Sequence, residues 1–431
     1  MAKSRTHSCR QLDQQSVNNS NSSNKPNRGI TVTEYYIPTD VKLIKKDEIN
    51  GRIIEYFTHK SRVEWGYKTE QTDTFAVLHP KDEKNGIQYP LDVVFHSAGH
   101  DVYSCVECIR NEGDHDIYHT PENMFGLFLD CRANMNDWWW GGTNILEING
   151  IDPEHSGTEP QPVENRCMAT IEWTIINYST DRNRIFAVGN SMGGSGSLGI
   201  ALCRGNIFAA IKANVPAGVR HAADRCCFDV PMPEGFKIPD PPIVIDYSAQ
   251  NDQWSRGHEI LYKGMHDRKY QIFGFWGMFG HENNNSKISV YNDLVHSVDV
   301  WSFRLDEAYP VFTDATTDDI LPWPDTSLTS SGQRNGYFRW SDISDTENEF
   351  AITFKLLTND EWKTRVSVPL ESTANITFRR LQKFSLNPGE KFEWTYAGKT
   401  GSGIATADGR PEIERITVKQ TSQRLTIKKL Y

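Results

Sequence analysis

The feature that most constrains the fold of this chain is a glycine-bracketed serine near its centre. The stretch from Arg184 to Gly199 reads RIFAVGNSMGGSGSLG, so a short apolar run meets the serine and a helical pattern follows it. A G-x-S-x-G sequence between strand and helix predicts a sharp turn with a strained serine, and the glycines leave room where a Cβ would clash. In this turn Ser191 stands exposed at a helix N-terminus, where free N–H groups favour negative charge. The alternative interpretation of the motif is a small-residue helix start at which backbones pack closely.

The sequence around this turn predicts a mostly parallel α/β sheet. Residues 167–178 carry apolar side chains at helical spacing, and residues 180–183 are expected to turn the chain into the strand that precedes Ser191. Further short apolar runs, separated by polar turns and helical patterns, predict strands at 53–57, 74–80, 91–96, 124–130, 209–216, 242–248 and 270–276. Strands that alternate with helices are typical of a parallel sheet with helices on its faces.

Two residues downstream are candidates to activate the serine. A serine hydroxyl needs a histidine to take its proton and a carboxylate to orient that histidine. Asp252 and His281 each follow a predicted strand, so Ser191, Asp252 and His281 would meet at one edge of the sheet in the chain order used by this architecture. The competing groups are Asp246, Glu282, His296, His96 and His100. Asp246 lies inside an apolar strand and is expected to be structural, whereas His96 and His100 precede Ser191 on another strand.

A small-residue turn supplies a candidate oxyanion hole. The strand at 91–96 ends in His96-Ser97-Ala98-Gly99-His100. The position of this turn predicts that an amide of Ala98 or Gly99 joins the N–H of Met192 in binding an oxyanion. The alternative is a plain strand-to-loop turn.

Substrate contacts are predicted from aromatic residues and from position. Trp138, Trp139 and Trp140 stand together in a loop rich in glycine and asparagine. Three consecutive tryptophans cannot all face one core, so at least one is expected to line a cleft, where indoles stack on sugar or aromatic rings. The alternative is that they fill a gap between elements. The position of His96, Asn190 and Trp254 near the predicted triad assigns them to substrate contact as well.

Composition narrows the classes of partner. The chain has 431 residues and a formal net charge of −10, which argues against a nucleic-acid or anionic-membrane surface and favours a neutral or weakly charged substrate. No apolar run is long enough to span a membrane. Cys105 and Cys108 have C-x-x-C spacing but no second pair at zinc-site distance, so no metal and no cofactor are expected. The eight cysteines leave structural disulfides open.

The two ends of the chain differ from its centre. Residues 1–28 are polar and predict a disordered leader without the apolar core of a signal peptide. The expected location is secreted, periplasmic or cell-surface, with the export signal replaced in this sequence, and the alternative is cytoplasmic. The predicted catalytic domain covers residues 29–320. Residues 321–431 alternate polar and apolar and predict a β-sandwich, with strands at 337–340, 349–356, 364–368, 374–378, 391–396 and 424–427. This domain is either a packing module or a carbohydrate-binding module that uses Trp362 or Trp394.

Residues 181–185, DRNRI, together with the run from Gly189 to Gly199, resemble the α/β-hydrolase superfamily, over roughly residues 30–320. Within it, the chain looks like esterases related to feruloyl esterases, acetylxylan esterases and polyester depolymerases. The resemblance implies a nucleophile at Ser191, an acid at Asp252, a base at His281 and an oxyanion donor at Met192. The turn at 96–100 departs from the His-Gly-Gly run of many relatives.

The expected activity is hydrolysis of carboxylic esters through an acyl-enzyme, with feruloyl or acetyl groups on polysaccharide or oligosaccharide as the substrate. Two alternatives are a serine peptidase of the prolyl-oligopeptidase type and a carbohydrate-binding protein on an inactive hydrolase scaffold. The sequence does not indicate the oligomeric state.

Overall fold

The computed structural model describes residues 36–67, 70–111, 116–131, 139, 160–282, 290–325 and 327–430. The predicted leader at 1–28 and the tryptophans at 138 and 140 lie outside these residues. Within them, no helix combines the length and the apolar character needed to cross a membrane.

The described residues form eighteen strands and six α-helices. The strands are β1 Lys42–Ile49, β2 Arg52–Lys60, β3 Thr72–Leu78, β4 Tyr89–Phe95, β5 Phe125–Leu129, β6 Thr180–Asn190, β7 Ala210–Asn214, β8 Ile243–Ala249, β9 Ile272–Gly277, β10 Tyr309–Thr313, β11 Gly332–Arg334, β12 Phe338–Asp345, β13 Glu349–Leu356, β14 Glu371–Arg379, β15 Lys391–Tyr396, β16 Lys399–Ile404, β17 Glu412–Lys419 and β18 Gln423–Lys429. The helices are α1 Val102–Cys108, α2 Pro162–Asn177, α3 Met192–Ala201, α4 Arg220–Arg225, α5 His258–Asp267 and α6 Asn292–His296.

A ten-stranded sheet organises the molecule, in the order β1-β2-β3-β5-β4-β6-β7-β8-β9-β11. Its six neighbouring strands from β5 to β9 are parallel, and they are the apolar runs that the sequence predicts as buried strands. β1, β2 and β3 extend one edge in antiparallel pairs, and β11 closes the other edge. With the serine turn after a central parallel strand, this is the α/β-hydrolase fold.

Both faces of the large sheet are covered, but by different secondary-structure elements. Alternate residues of β8 show the division, because Val244 packs in a core with α2, α3 and α5, whereas Ile245 and Tyr247 pack on the opposite side. That second side is covered by α1, by α6 and by strands from the C-terminal third of the chain. The C-terminal strands therefore take a place that helices occupy elsewhere on the sheet.

The C-terminal third forms two antiparallel sheets that share one core, as a β-sandwich does. One sheet has the order β10-β14-β17 and the other the order β12-β13-β18-β15-β16. Phe354 and Phe378, one from each sheet, stack with ring centroids 6.4 Å apart. The sandwich does not begin at residue 321, because β10 already belongs to it, while β11 belongs to the large sheet. The two units exchange strands across the predicted boundary.

Two local predictions for the chain are wrong. Residues 364–368 form no strand, and residues 180–183 are the first part of β6 rather than a turn that precedes it. Trp394 lies on the same side of β15 as the buried Phe392 and Tyr396 and packs against the shared core, so it is not an exposed carbohydrate platform. Trp362 is exposed.

Candidate active site

Ser191 occupies the turn between β6 and α3 in a strained conformation, with φ 57° and ψ −120°. A Cβ on Gly189 would lie 2.2 Å from the carbonyl oxygen of Gly193, and one on Gly193 would lie 1.9 Å from that of Phe95. Both glycines of the motif are thus required by close backbone approach. The amide of Ser191 donates to the carbonyl of Asn214 on the neighbouring β7, at 2.9 Å, which ties the turn to the sheet.

The three predicted triad residues form one line of hydrogen bonds. Ser191 Oγ lies 2.6 Å from His281 Nε2, and His281 Nδ1 lies 2.6 Å from Asp252 Oδ2. Because a carboxylate only accepts, Nδ1 carries the proton and Nε2 is left to accept from the serine hydroxyl. The Asp252 side chain is 1% exposed and the His281 side chain 28% exposed. The carboxylate is therefore screened from water, while the imidazole is partly exposed.

Loop hydrogen bonds hold the acid and the base in place. Asp252 Oδ1 accepts from the amide of Trp254 at 2.9 Å, which leaves Oδ2 directed at the histidine. Gly280, immediately before His281, donates its amide to Asn251 Oδ1 at 2.9 Å. The loop after β8 and the loop after β9 are thereby joined next to the imidazole.

The competing groups lie elsewhere. Asp246 is buried within β8 and accepts from Ser248 Oγ and Tyr262 Oη, both at 2.8 Å, and burial raises its pKa to about 7. This is the structural role that the sequence favours for it. Glu282 is exposed beside His281, and His296 ends α6 next to the side-chain amide of Asn292. None of these groups reaches the line of hydrogen bonds through Ser191.

The predicted oxyanion donors lie at the start of α3 and in the turn after β4. Met192 is the first residue of α3, so its N–H has no acceptor within the helix. The end of β4 is in close approach to Gly193, which brings the turn after β4 beside the serine. Ser97 already donates its amide to Tyr118 Oη at 2.9 Å, whereas Ala98 and Gly99 are exposed. The amides of Ala98 and Gly99 remain the predicted second donors.

Two predicted substrate contacts are corrected. His96 is 1% exposed; its Nε2 lies 3.1 Å from the amide of Cys131 and 3.2 Å from Asp130 Oδ1, and its Nδ1 lies 2.9 Å from the carbonyl of Ser97. Trp139 is completely buried and donates from Nε1 to the carbonyl of His96 at 2.8 Å. A Cβ on Gly196 would lie 2.4 Å from Trp139. The structure therefore supports the alternative for Trp139, which fills the gap between β4 and α3.

The remaining predicted contacts are Asn190 and Trp254. Asn190 ends β6 and is buried directly before the serine. Trp254 is partly exposed, and its ring centroid lies 5.8 Å from that of His281. Of the described members of the predicted set, Trp254 is the one that offers an aromatic surface beside the triad.

A buried network behind the acid loop was not predicted. Ser248 Oγ donates to Asp246 and accepts from His258 Nε2 at 2.8 Å, and Ser255 Oγ then donates to His258 Nδ1 at 2.9 Å. The amide of Ser255 donates to the carbonyl of Asp252 at 3.1 Å. Burial lowers the pKa of His258 to about 3, so the imidazole is neutral. The sequence offers no signal for this network, because its members combine only when β8 and α5 pack.

No family model matches the chain, and no curated protein matches its sequence. Solved structures are similar in fold. An S-formylglutathione hydrolase from Agrobacterium tumefaciens is 17% identical, with a TM-score of 0.38 over 58% of this chain and 95% of its own. A thermostable esterase is 20% identical, with a TM-score of 0.40 over 58% of this chain and 63% of its own. A ferulic acid esterase from the anaerobic fungus Anaeromyces mucronatus is 17% identical, with a TM-score of 0.36 over 58% of this chain and 91% of its own.

The strand order, the strained serine and the Ser-Asp-His order along the chain together make this an α/β-hydrolase fold with triad geometry at the carboxyl edge of its sheet.

Proposed function

We propose that this protein is a serine carboxylic-ester hydrolase that forms an acyl-enzyme on Ser191. The observation that carries the proposal is the line of hydrogen bonds from Ser191 through His281 to Asp252, at 2.6 Å and 2.6 Å, with the serine on a strained turn at a helix N-terminus. A serine hydroxyl is a poor nucleophile by itself, and a neutral imidazole at hydrogen-bond distance is the group that activates it.

In the first half-reaction, Ser191 Oγ attacks the ester carbonyl carbon and its proton passes to His281 Nε2. Asp252 stabilises the imidazolium and keeps Nδ1 protonated. The amide of Met192, with that of Ala98 or Gly99, stabilises the oxyanion. The tetrahedral intermediate collapses, and the alcohol leaves with the proton from His281. In the second half-reaction, His281 takes a proton from water, which attacks the acyl carbon and frees the acid and the serine.

The first test is hydrolysis of 4-nitrophenyl acetate by the wild type, Ser191→Ala and Ser197→Ala. Ser197 is on the same helix and donates to the carbonyl of Gly194, so it is a matched control away from the triad. We expect kcat/KM to fall at least about 10³-fold in Ser191→Ala and to stay near wild type in Ser197→Ala. Labelling by a fluorophosphonate, mapped to Ser191 by peptide mass, separates triad chemistry from unspecific hydrolysis of a reactive ester. A folded wild type with neither activity nor labelling would contradict the proposal.

The finer proposal is that the esters are feruloyl or acetyl groups on polysaccharide or oligosaccharide outside the cell. Support comes from Trp254, an aromatic surface beside His281, and from the net charge of −10, which disfavours polyanionic partners. Methyl ferulate, acetylated xylan and a feruloylated oligosaccharide are the substrates to compare. Trp254→Ala is expected to raise KM for methyl ferulate more than for 4-nitrophenyl acetate. Cleavage of 4-nitrophenyl acetate together with failure on every saccharide ester would reject the finer proposal and keep the coarser one.

A further inference from the structure

Three cysteines lie near the end of the helix that follows Ser191. Cys203 comes directly after α3 and its cap Leu202, and Cys226 and Cys227 follow α4. All three are free thiols, and the Sγ atoms of Cys203 and Cys226 are 3.3 Å apart. A disulfide needs about 2.0 Å, so the two sulfurs have to approach by little more than about 1 Å.

We infer that Cys203 and Cys226 form a dithiol site that thiol–disulfide exchange converts into a disulfide between the ends of α3 and α4. The co-substrate is a small disulfide such as oxidised glutathione, or the active-site disulfide of an oxidoreductase. This site is separate from the proposed ester chemistry and does not depend on it.

The surroundings divide the roles between the two thiols. As a residue Cys203 is partly exposed, whereas Cys226 is completely buried, so Cys203 is the more accessible of the two to an external disulfide. The hydrogen bond with Cys226 and the guanidinium of Arg225 lower the pKa of Cys203, and burial raises the pKa of Cys226. Glu164 opposes this effect, but its carboxylate accepts hydrogen bonds from both Arg204 and Arg225. A thiol with a lowered pKa is the one that attacks.

The exchange proceeds in two steps that balance. Cys203 thiolate attacks one sulfur of the external disulfide, which forms a mixed disulfide and releases one thiolate. The thiol of Cys226 then attacks the Cys203 sulfur and expels the second thiolate. Two protein thiols are oxidised, one external disulfide is reduced, and the two protons from the protein thiols end on the released thiols.

The product would constrain α3, the helix that directly follows the predicted nucleophile. α3 begins at Met192, directly after Ser191, and Cys203 follows its far end, so the bond would fix this end to α4. Cys226 is 23 residues from Cys203 in the chain, and a loop of this size removes appreciable entropy from the unfolded state. For a chain of this length the expected rise in melting temperature is about 3 °C.

The test uses the full-length native protein, incubated with oxidised glutathione and then blocked with a thiol reagent and digested. The expected result is a disulfide-linked pair of peptides that contain Cys203 and Cys226. The mass of this pair is two hydrogen atoms below the sum of the two reduced peptides, and a dithiol reductant separates them. Cys203→Ser is expected to abolish both the cross-link and the rise in melting temperature, while Cys167→Ser, at a buried cysteine in α2, leaves the cross-link in place.

Three outcomes would overturn the inference. One is that no cross-link forms while the same treatment oxidises the protein in denaturant. Another is a cross-link from Cys203 to Cys227, since Cys227 also adjoins the pair. The third is a glutathione adduct on Cys203 that persists without resolution by Cys226. Cys226→Ser is a second variant that is also expected to lose the cross-link. If its buried position prevents folding, Cys203→Ser alone tests the cross-link, because Cys203 is a partly exposed residue.

Discussion

At the level of single residues, two aspartates, one within β8 and one in the loop that follows it, have different tasks set by their surroundings. Asp252 follows β8, is hydrogen-bonded to His281, and has its second oxygen held by a backbone amide. Asp246 lies within β8, and its oxygens accept from Ser248 and Tyr262. One carboxylate faces a group that becomes charged during the proposed reaction. The other accepts from two hydroxyls and lies 3.8 Å from Nε2 of the neutral His258.

Exchange of each carboxylate for an amide separates these tasks. We expect Asp252→Asn to lower kcat by up to about 10⁴-fold on 4-nitrophenyl acetate with little change in melting temperature, because the amide cannot hold Nδ1 protonated. Asp246→Asn is expected to cost about 1–3 kcal/mol of unfolding free energy, because one buried hydroxyl loses its acceptor, with a much smaller change in kcat. Rates and urea unfolding of both variants check this. Equal losses of kcat in the two variants would contradict the assignment.

The candidate site shows which residues a sequence can place together. Ser191 is predicted from its G-x-S-x-G turn, and Asp252 and His281 are predicted from their positions after strands, because parallel strands bring such loops to one edge of a sheet. His96 is assigned to substrate contact from its position and Trp139 from the run of three tryptophans, yet both are buried. A local pattern reports where a residue enters the loop but not which way its side chain turns, since that depends on packing between β4 and α3.

At the scale of elements, the acid loop is supported by the packing of α5 on β8. His258, at the start of α5, is bonded to Ser248 on β8 and to Ser255 in the loop, and it stacks on Trp323 with ring centroids 4.5 Å apart. Because burial lowers its pKa to about 3, His258 is neutral in the folded protein and protonates in the unfolded chain near its ordinary value. Its contribution to stability is therefore present above about pH 6.5 and is lost as the pH falls towards 3.

This predicts a pH-dependent cost for His258→Gln. The variant is expected to be less stable than wild type at pH 7, and the difference in unfolding free energy is expected to shrink by about 1.4 kcal/mol per pH unit below pH 6.5. Asp246, whose raised pKa gives the opposite dependence, is present in both proteins. Urea unfolding between pH 4 and pH 8 is the measurement. Ser255→Ala keeps the imidazole and is expected to follow the wild-type pH dependence; a constant cost for His258→Gln would refute the prediction.

The elements themselves were predictable where they are buried. The parallel strands are short continuous apolar runs, and such runs are recognisable without knowledge of the partner strand. β1 reads KLIKKDEI and is exposed along nearly its whole length, and β11 has only three residues, so neither carries a hydrophobic pattern. These are edge strands, which are defined by the neighbour they pair with rather than by burial of their own side chains.

At the scale of the whole molecule, Arg380 joins the sandwich to the sheet. It follows β14, is nearly completely buried, and donates to carbonyls that include those of Phe208 at 2.8 Å and Ala209 at 3.0 Å. It also donates to the carbonyls of Gly205, Pro241 and Arg304. A single guanidinium thus donates to five backbone carbonyls, and four of these, of Gly205, Phe208, Ala209 and Pro241, belong to buried residues.

Loss of this guanidinium is expected to lower the stability of the whole protein. Arg380→Met is expected to lower the unfolding free energy by about 4 kcal/mol, because several buried carbonyls lose their donor. The matched control is Arg424→Met on β18, where the exposed arginine makes one hydrogen bond to the carbonyl of Asp342. The control is expected to change stability by less than about 0.5 kcal/mol. A midpoint of urea unfolding for Arg380→Met that matches the control would show that water replaces the guanidinium.

The exchange of strands makes the two units interdependent. A chain that ends at residue 320 keeps β10 without its partner β14, loses β11 from the edge of β9, and exposes Phe273 and Phe275, which pack in one core with Phe350. We therefore expect the fragment 1–320 to be insoluble when expressed alone and to become soluble when co-expressed with 321–431, because the second fragment restores both strand pairs and the shared core. Solubility and co-purification of tagged fragments are the measurement. A soluble, cooperatively unfolding 1–320 would mean that the helical side of the sheet is a sufficient core, and that the sandwich is an accessory module of the kind the sequence predicts.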